Sequence, residues 1–245
     1  SRRIIIENYL SAKYDIPLTG SATPQVWDLS DPEQDLFSNQ IAGLGQASDG
    51  SAHTDAAGPG AIFRVNSPTF NSTNSFILWG HNGEELTNTW PYSNTSNPFS
   101  PLPGSILERS GQVWKIYESG DVGTATIQIN FSASDSAAEI SQDFNLLKLL
   151  THTNPDPQDF SNANIYDLAS PSAGLPGGNV ARFQNIPITN GMYVTLGNTS
   201  GYFVSPLPIE LLSFDAQLKG TYVDLQWETA TEINNDYFVI ERADE

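Results

Sequence analysis

Between residues 23 and 203 short apolar or alternating runs are split, every ten residues or so, by clusters of Gly, Pro, Asn and Ser. That spacing predicts a β-sandwich. The expected strands are "QIAGLGQ" (40–46), "AIFRVN" (61–66), "SFILWGHN" (75–82), "QVWKIYES" (112–119), "TATIQINFS" (124–132), "FNLLKLLTH" (144–152), "VARFQNIPI" (180–188) and "GMYVTLGN" (191–198). In "TATIQINF" the alternation puts Ala125, Ile127, Ile129 and Phe131 on one face and Thr126, Gln128 and Asn130 on the other. "FNLLKLLTH" fits a buried strand or a short helix equally well.

Residues 2–14, "RRIIIENYLSAKY", carry Ile6, Tyr9, Leu10 and Tyr14 at helical spacing, with Glu7, Asn8 and Lys13 on the other side. Pro17 and Gly20 end the expected helix. With its linker it fills residues 1–19, capping the β domain or bridging to a preceding module. A sandwich domain then spans 20–204. Pro206 and Pro208 stiffen the chain before alternation restarts in "ELLSFDAQL", "YVDLQWET" and "DYFVIER". A second domain over 205–245 therefore begins and stays incomplete, since three strands fall short of the about seven of an immunoglobulin-like sandwich. The expected fold class is all-β: a sandwich of jelly-roll or immunoglobulin type with a short N-terminal helix, plus the truncated start of an immunoglobulin- or fibronectin-like domain.

Composition narrows the partners. The chain has 245 residues, 28 acidic against 10 basic, and a net charge of -18. Nucleic acid is excluded, because gripping phosphates takes Lys and Arg that displace counterions. Anionic membrane surfaces are disfavoured for the same reason, and no apolar run approaches a membrane span, so no membrane insertion is expected. Cysteine is absent, which removes disulfides, thiolate metal sites and thiol nucleophiles together. The chain opens on "SRRIII" without Met and stops within an expected strand, so both ends are expected to be cut from a longer polypeptide.

Two stretches resemble known proteins. "LPIELLSFDAQLKGTYVDLQWETATEINNDYFVIER" is similar to the start of the fibronectin-like domain near the C-terminus of type IX-secreted, adhesin-like surface proteins of gliding and related diderm bacteria. Its matching residues are Leu207 to Leu211, Trp227 to Asn235 and Phe238 to Arg242. "IENYLSAKYDIPL", "IAGLGQ", "FILWGHNG", "GQVWKIYESGDVGTATIQINF" and "NGMYVTLGN" resemble, in this order, a β-rich module of the same proteins. Where that family tends to an Asp-rich segment after "LLKLL", this chain has "THTNPDPQDF". The resemblance implies export to the extracellular side or outer cell surface. It also implies neighbouring domains of one long chain as partners, together with surface glycans, other copies or the secretion and anchoring machinery.

Candidate chemistry is sparse. The three histidines, His53, His81 and His152, have no zinc-type spacing. His81 lies near Glu84 and Glu85, but "HNGEE" is more simply a Gly turn after a buried strand. Glu108 and Glu118 flank "RSGQVWKIY" and invite a paired-carboxylate reading, against the plainer one of strand-edge acids. No nucleophile elbow, phosphate loop or H-E-x-x-H motif occurs, so no catalytic residue and no enzyme is expected.

Ca²⁺ is the one ion the loops invite, through Asp28, Asp31, Glu33 and Asp35, through Asn154, Asp156 and Asp159, or through Asp49 and Asp55. None has EF-hand spacing, acidic loops are ordinary in so acidic a chain, and no cofactor or metal site is assigned. For ligand binding the best stretch is "TNTWPYSNTSNPFSPLPG" (87–104), which places Trp90, Tyr92 and Phe99 on an expected polar loop where rings could stack on sugars or simply pin the loop. Trp79, Trp114 and Trp227 sit in strand patterns and are expected in the core, and Asn234, Asn235 and Asp236 supply turn chemistry in the tail. The expected function is a non-catalytic structural or adhesive segment, with a carbohydrate-binding accessory module as the alternative.

Overall fold

The computed structural model describes residues 2–14, 16–18, 25–27, 31–84, 86, 89–91, 102–131, 146–169, 180–199, 211–220 and 222–229. The chain divides into two compact units, Ser1–Val204 and Ser205–Glu245.

Among the described residues the first unit holds two antiparallel sheets. The larger runs β11(Asn164–Asp167), β10(Leu147–His152), β13(Met192–Asn198), β8(Trp114–Ser119), β5(Ser75–His81), β1(Asn39–Gln46) and β2(Ala52–His53), with β7(Glu108–Ser110) paired to β13 and β6(Thr89–Pro91) to β7. The smaller runs β12(Val180–Pro187), β9(Thr124–Asn130), β4(Phe63–Asn66) and β3(Asp55–Ala57). The described part of "FNLLKLLTH" is a strand, β10, in register with β13 from Leu147–Asn198 to His152–Tyr193.

The alternating side chains of β9 do what their pattern predicts. Ala125, Ile127 and Ile129 face inward with Phe63, Val65, Ala181 and Phe183, against Ile77, Trp79, Trp114, Ile116, Leu149 and Val194 of the larger sheet. Phe63 stacks on Trp114 at 4.8 Å between ring centroids, joining one sheet to the other. Such offset aromatic pairs add about 1 kcal/mol to the burial of their area.

The larger sheet is covered on its other face as well. A second apolar cluster takes Ile41, Leu78, Tyr117, Leu150 and Tyr193 from its strands and Ala12, Trp27, Phe37, Leu102 and Phe160 from outside them. β5 and β13 are consequently buried at every position. The continuous apolar run "FILW" follows from burial on both faces, as alternation follows from burial on one.

Helix α1 (Arg2–Tyr14) lies on β1 within this unit. Its buried residues are Ile5, Asn8, Ser11 and Ala12, while Ile6, Leu10 and Tyr14 are exposed. The helix is thus turned away from the face its apolar spacing suggests. Asn8 explains this: its Oδ1 accepts from the amides of Val26 and Trp27 at 2.6 and 3.2 Å, and its Nδ2 donates to the Ile4 carbonyl at 2.9 Å. A side-chain amide bonded through both its oxygen and its nitrogen lies inside at little cost, and small Ser11 and Ala12 let the helix approach the sheet.

In the second unit β14(Leu211–Lys219) pairs antiparallel with β15(Tyr222–Thr229), with Phe214 opposite Trp227 and Leu218 opposite Val223. Trp227, expected in the core, is 39% exposed, because no second layer covers this face of the hairpin among the described residues.

Candidate functional site

The outer face of the larger sheet holds polar groups in its apolar cover. Register places His152 of β10 beside Tyr193 of β13, Tyr193 beside Lys115 of β8, and Lys115 beside Gly80 of β5. Lys115 is 3% exposed. Its Nζ donates to the Tyr193 hydroxyl at 2.5 Å and to Glu33 Oε1, to which Tyr193 also donates.

Glu33 belongs to α2 (Pro32–Leu36), a helix with no buried residue of its own. Asp31 caps α2, accepting from the Glu33 amide at 3.0 Å, and a Pro starts it. Burial pushes Lys115 below the usual ammonium range, with Glu33 offsetting part of that. Burial raises Glu33, but its bonds from Lys115 and Tyr193 outweigh this and hold it below the ordinary carboxylate range. The Tyr193 and Tyr117 hydroxyls are both pushed up, chiefly by burial.

His152 stacks on Tyr193 at 5.0 Å and takes the edge of Phe160 at 4.2 Å. Its Nδ1 accepts from the Asn154 amide at 3.1 Å, and burial lowers its pKa to about 4. Arg109, fully buried, lies 4.9 Å from the Phe160 ring and donates to the Ser110 carbonyl and to Gln158 Oε1 at 2.8 and 2.6 Å. Burial brings its pKa down to about 10.

His81 ends β5 opposite Trp114 of β8, with 6.4 Å between the ring centroids. Its Nδ1 accepts from the Gly83 amide at 3.1 Å, its pKa falls to about 4 through burial, and Gly83 turns the chain at φ 83. Both ring Nε2 atoms, of His81 and His152, are enclosed by protein. These imidazoles are neutral packing elements, with one nitrogen taken by the backbone and the other shut off from solvent.

The remaining sequence candidates separate. Glu108 is buried in β7, and Glu118 accepts from the Val122 amide at 2.6 Å, with burial raising its pKa. They occupy different strands, β7 and β8. Asp49 accepts from the Ser51 amide, Asp55 pairs with Arg64, Asp156 accepts from the Gln158 amide and Asp159 from the Ser161 amide. Asp35 is an exposed residue of α2, and Asp28 and Glu85 lie outside the described residues. Among the described residues no group of three or more His, Asp or Glu converges as metal ligands. Trp90 lies in strand β6, opposite Arg109, rather than in a loop, while Tyr92 and Phe99 lie outside the described residues. His53 reaches β2, far along the sheet from β10 and His152. The Lys115–Glu33–Tyr193 cluster escaped sequence reasoning. Its one signal was a lysine inside the apolar strand "VWKIY".

Fold and site together define an all-β sandwich domain whose larger sheet carries apolar clusters on both faces and a lysine–glutamate pair on the outer one. The chain belongs to the family described as Domain of unknown function (DUF8202), whose model matches residues 2–191. The match takes in α1 and stops just before β13, a strand central to the larger sheet. No curated protein and no solved structure matches the chain. No helix of the described residues is long and apolar enough to cross a membrane.

Proposed function

We propose that this domain is a non-catalytic structural and adhesive segment of a large cell-surface protein exported by type IX secretion. The observation that carries this reading is the double cover of the larger sheet: β5 and β13 are buried at every position, and the titratable groups of the outer face are locked into packing. A body built this way bears load through its strands and leaves contact with partners to its rim. The similarity of residues 207–242 to the fibronectin-like start of type IX-secreted proteins supports the location and the multidomain setting.

The second reading is a carbohydrate-binding accessory module of a secreted polysaccharide-degrading enzyme. It is favoured by the anchoring of Trp90 in β6, which fixes one end of the aromatic stretch to the sheet margin. A polysaccharide pull-down with the whole chain decides between them. Binding to no glycan supports the structural segment. Binding that disappears with Trp90→Ala and Tyr92→Ala supports the accessory module.

A further inference from the structure

Helix α1 presents to solvent a stripe unlike the rest of this acidic chain. Ile6, Leu10 and Tyr14, one turn apart, are 53%, 41% and 59% exposed, and Ile16 just beyond is 59% exposed. Arg3 and Lys13 lie exposed among them. The helix holds Arg2, Arg3 and Lys13, three of the chain's 10 basic residues, against one acid, Glu7, whose carboxylate is bonded to Arg3 at 2.7 Å.

Beside the stripe runs a groove in two adjoining lobes that share Tyr9, Ile41 and Pro59. One lobe, about 440 Å³, adds Lys13, Ser38 and Gln40. The other, about 300 Å³, adds Ile5, Ile6, Ala42, Ala56 and Ala57, with Gly43 and His53 at its wall. Among the described residues no carboxylate lines either lobe, in a chain with 28 of them. Gln40 is held there at φ 52, and a Cβ on Gly60 would come 2.5 Å from its side-chain oxygen.

We propose that the outer face of α1 and the adjoining groove form a docking surface for an acidic polypeptide segment that carries aliphatic side chains. Contiguous exposed apolar residues mark contact surfaces, and sign complementarity selects the partner. Lys13 in one lobe, with no carboxylate in the described lining of either, beside the aliphatic side chains of the other lobe fits carboxylates alternating with aliphatic groups. The aliphatic lobe offers little to sugar hydroxyls. A second copy docked patch to patch would set like charges against each other, and a net charge of -18 opposes an anionic lipid surface. This surface shares no residue with the 87–104 stretch, so it is tested independently of the reading above.

The test is fluorescence anisotropy of a labelled synthetic peptide of alternating Glu and Leu, titrated with the whole chain. The expected result is saturable binding that weakens as salt rises and exceeds that of the matching Lys-Leu peptide. Ile6→Ser, Leu10→Ser and Lys13→Glu should each lower the affinity about tenfold, with unchanged circular dichroism and melting. Absence of binding, equal binding of the Lys-Leu peptide, or indifference to all three substitutions overturns the proposal. So does an α1-dependent response to oligoglucuronate alone, or an α1-dependent dimer of the chain without peptide binding.

Discussion

Lys115 and Glu33 are 82 positions apart in the chain, yet the Lys115 ammonium, buried in the middle of a sheet, donates to the Glu33 carboxylate, whose side chain is 41% exposed. The pair joins α2, which buries nothing of its own, to the sandwich. Breaking such a pair from one side differs from removing it, because a lone buried charge is costly whereas an apolar replacement is near neutral. Glu33→Ala should destabilise by about 2 kcal/mol, less than a wholly buried pair because one partner meets solvent. Lys115→Met also breaks the pair from one side, but the carboxylate it leaves is 41% exposed and keeps its bond from Tyr193, so it should cost less, about 1 kcal/mol. Urea denaturation of the two variants checks the order, and a larger loss for Lys115→Met would contradict the clamp.

The histidines make the fold sensitive to acid. His81 and His152 titrate at about 4 in the folded chain, against 6.5 ordinarily. Below 6.5 the unfolded chain therefore takes up protons that the folded one refuses. Stability is complete above that pH and is lost as pH falls toward about 4, by roughly 1.4 kcal/mol per pH unit for each histidine. Glu33 acts in the same direction, since its depressed folded pKa stabilises above the ordinary carboxylate value and that contribution is lost on acidification. Denaturation midpoints at a series of pH values should show this slope, and His152→Phe should flatten it by about half.

Gly80 is needed for space. A Cβ there would come 2.1 Å from the Phe37 carbonyl oxygen, so Gly80→Ala should cost about 2–3 kcal/mol by lifting the Phe37 segment off β5. Gly50 has φ +81 but nothing within 4 Å of an added Cβ, so Gly50→Ala should cost only about 1 kcal/mol of backbone strain. Thermal unfolding of both variants separates crowding from backbone conformation.

Asn8→Ala should cost about 2–3 kcal/mol, since the buried amides of Val26 and Trp27 lose their acceptor. Leu10→Ser, on the exposed side, should change stability by less than about 0.5 kcal/mol. The opposite order in a melting experiment would restore the helix face suggested by apolar spacing.

The legible part of this fold is the part set by local pattern. Alternation in "TATIQINF" names a strand with one buried face, and the unbroken "FILW" names one covered on both, because a strand's side chains point to alternate faces and each face records its own neighbours. Composition alone gave the chain its strongly acidic character, 28 acidic against 10 basic residues.

What only the tertiary structure decided lies where neighbours come from afar in the chain. Helical spacing located α1, but its Ile6, Leu10 and Tyr14 turned outward because a network around Asn8 and the small residues Ser11 and Ala12 outbid them for the sheet. No window of sequence around Lys115 contains Glu33 or Tyr193. The sequence by itself determined the β class, the start of α1 and the acidic character. Pairing, burial of polar groups and the choice of helix face depend on contacts between distant segments, whose energies are not written in either segment alone.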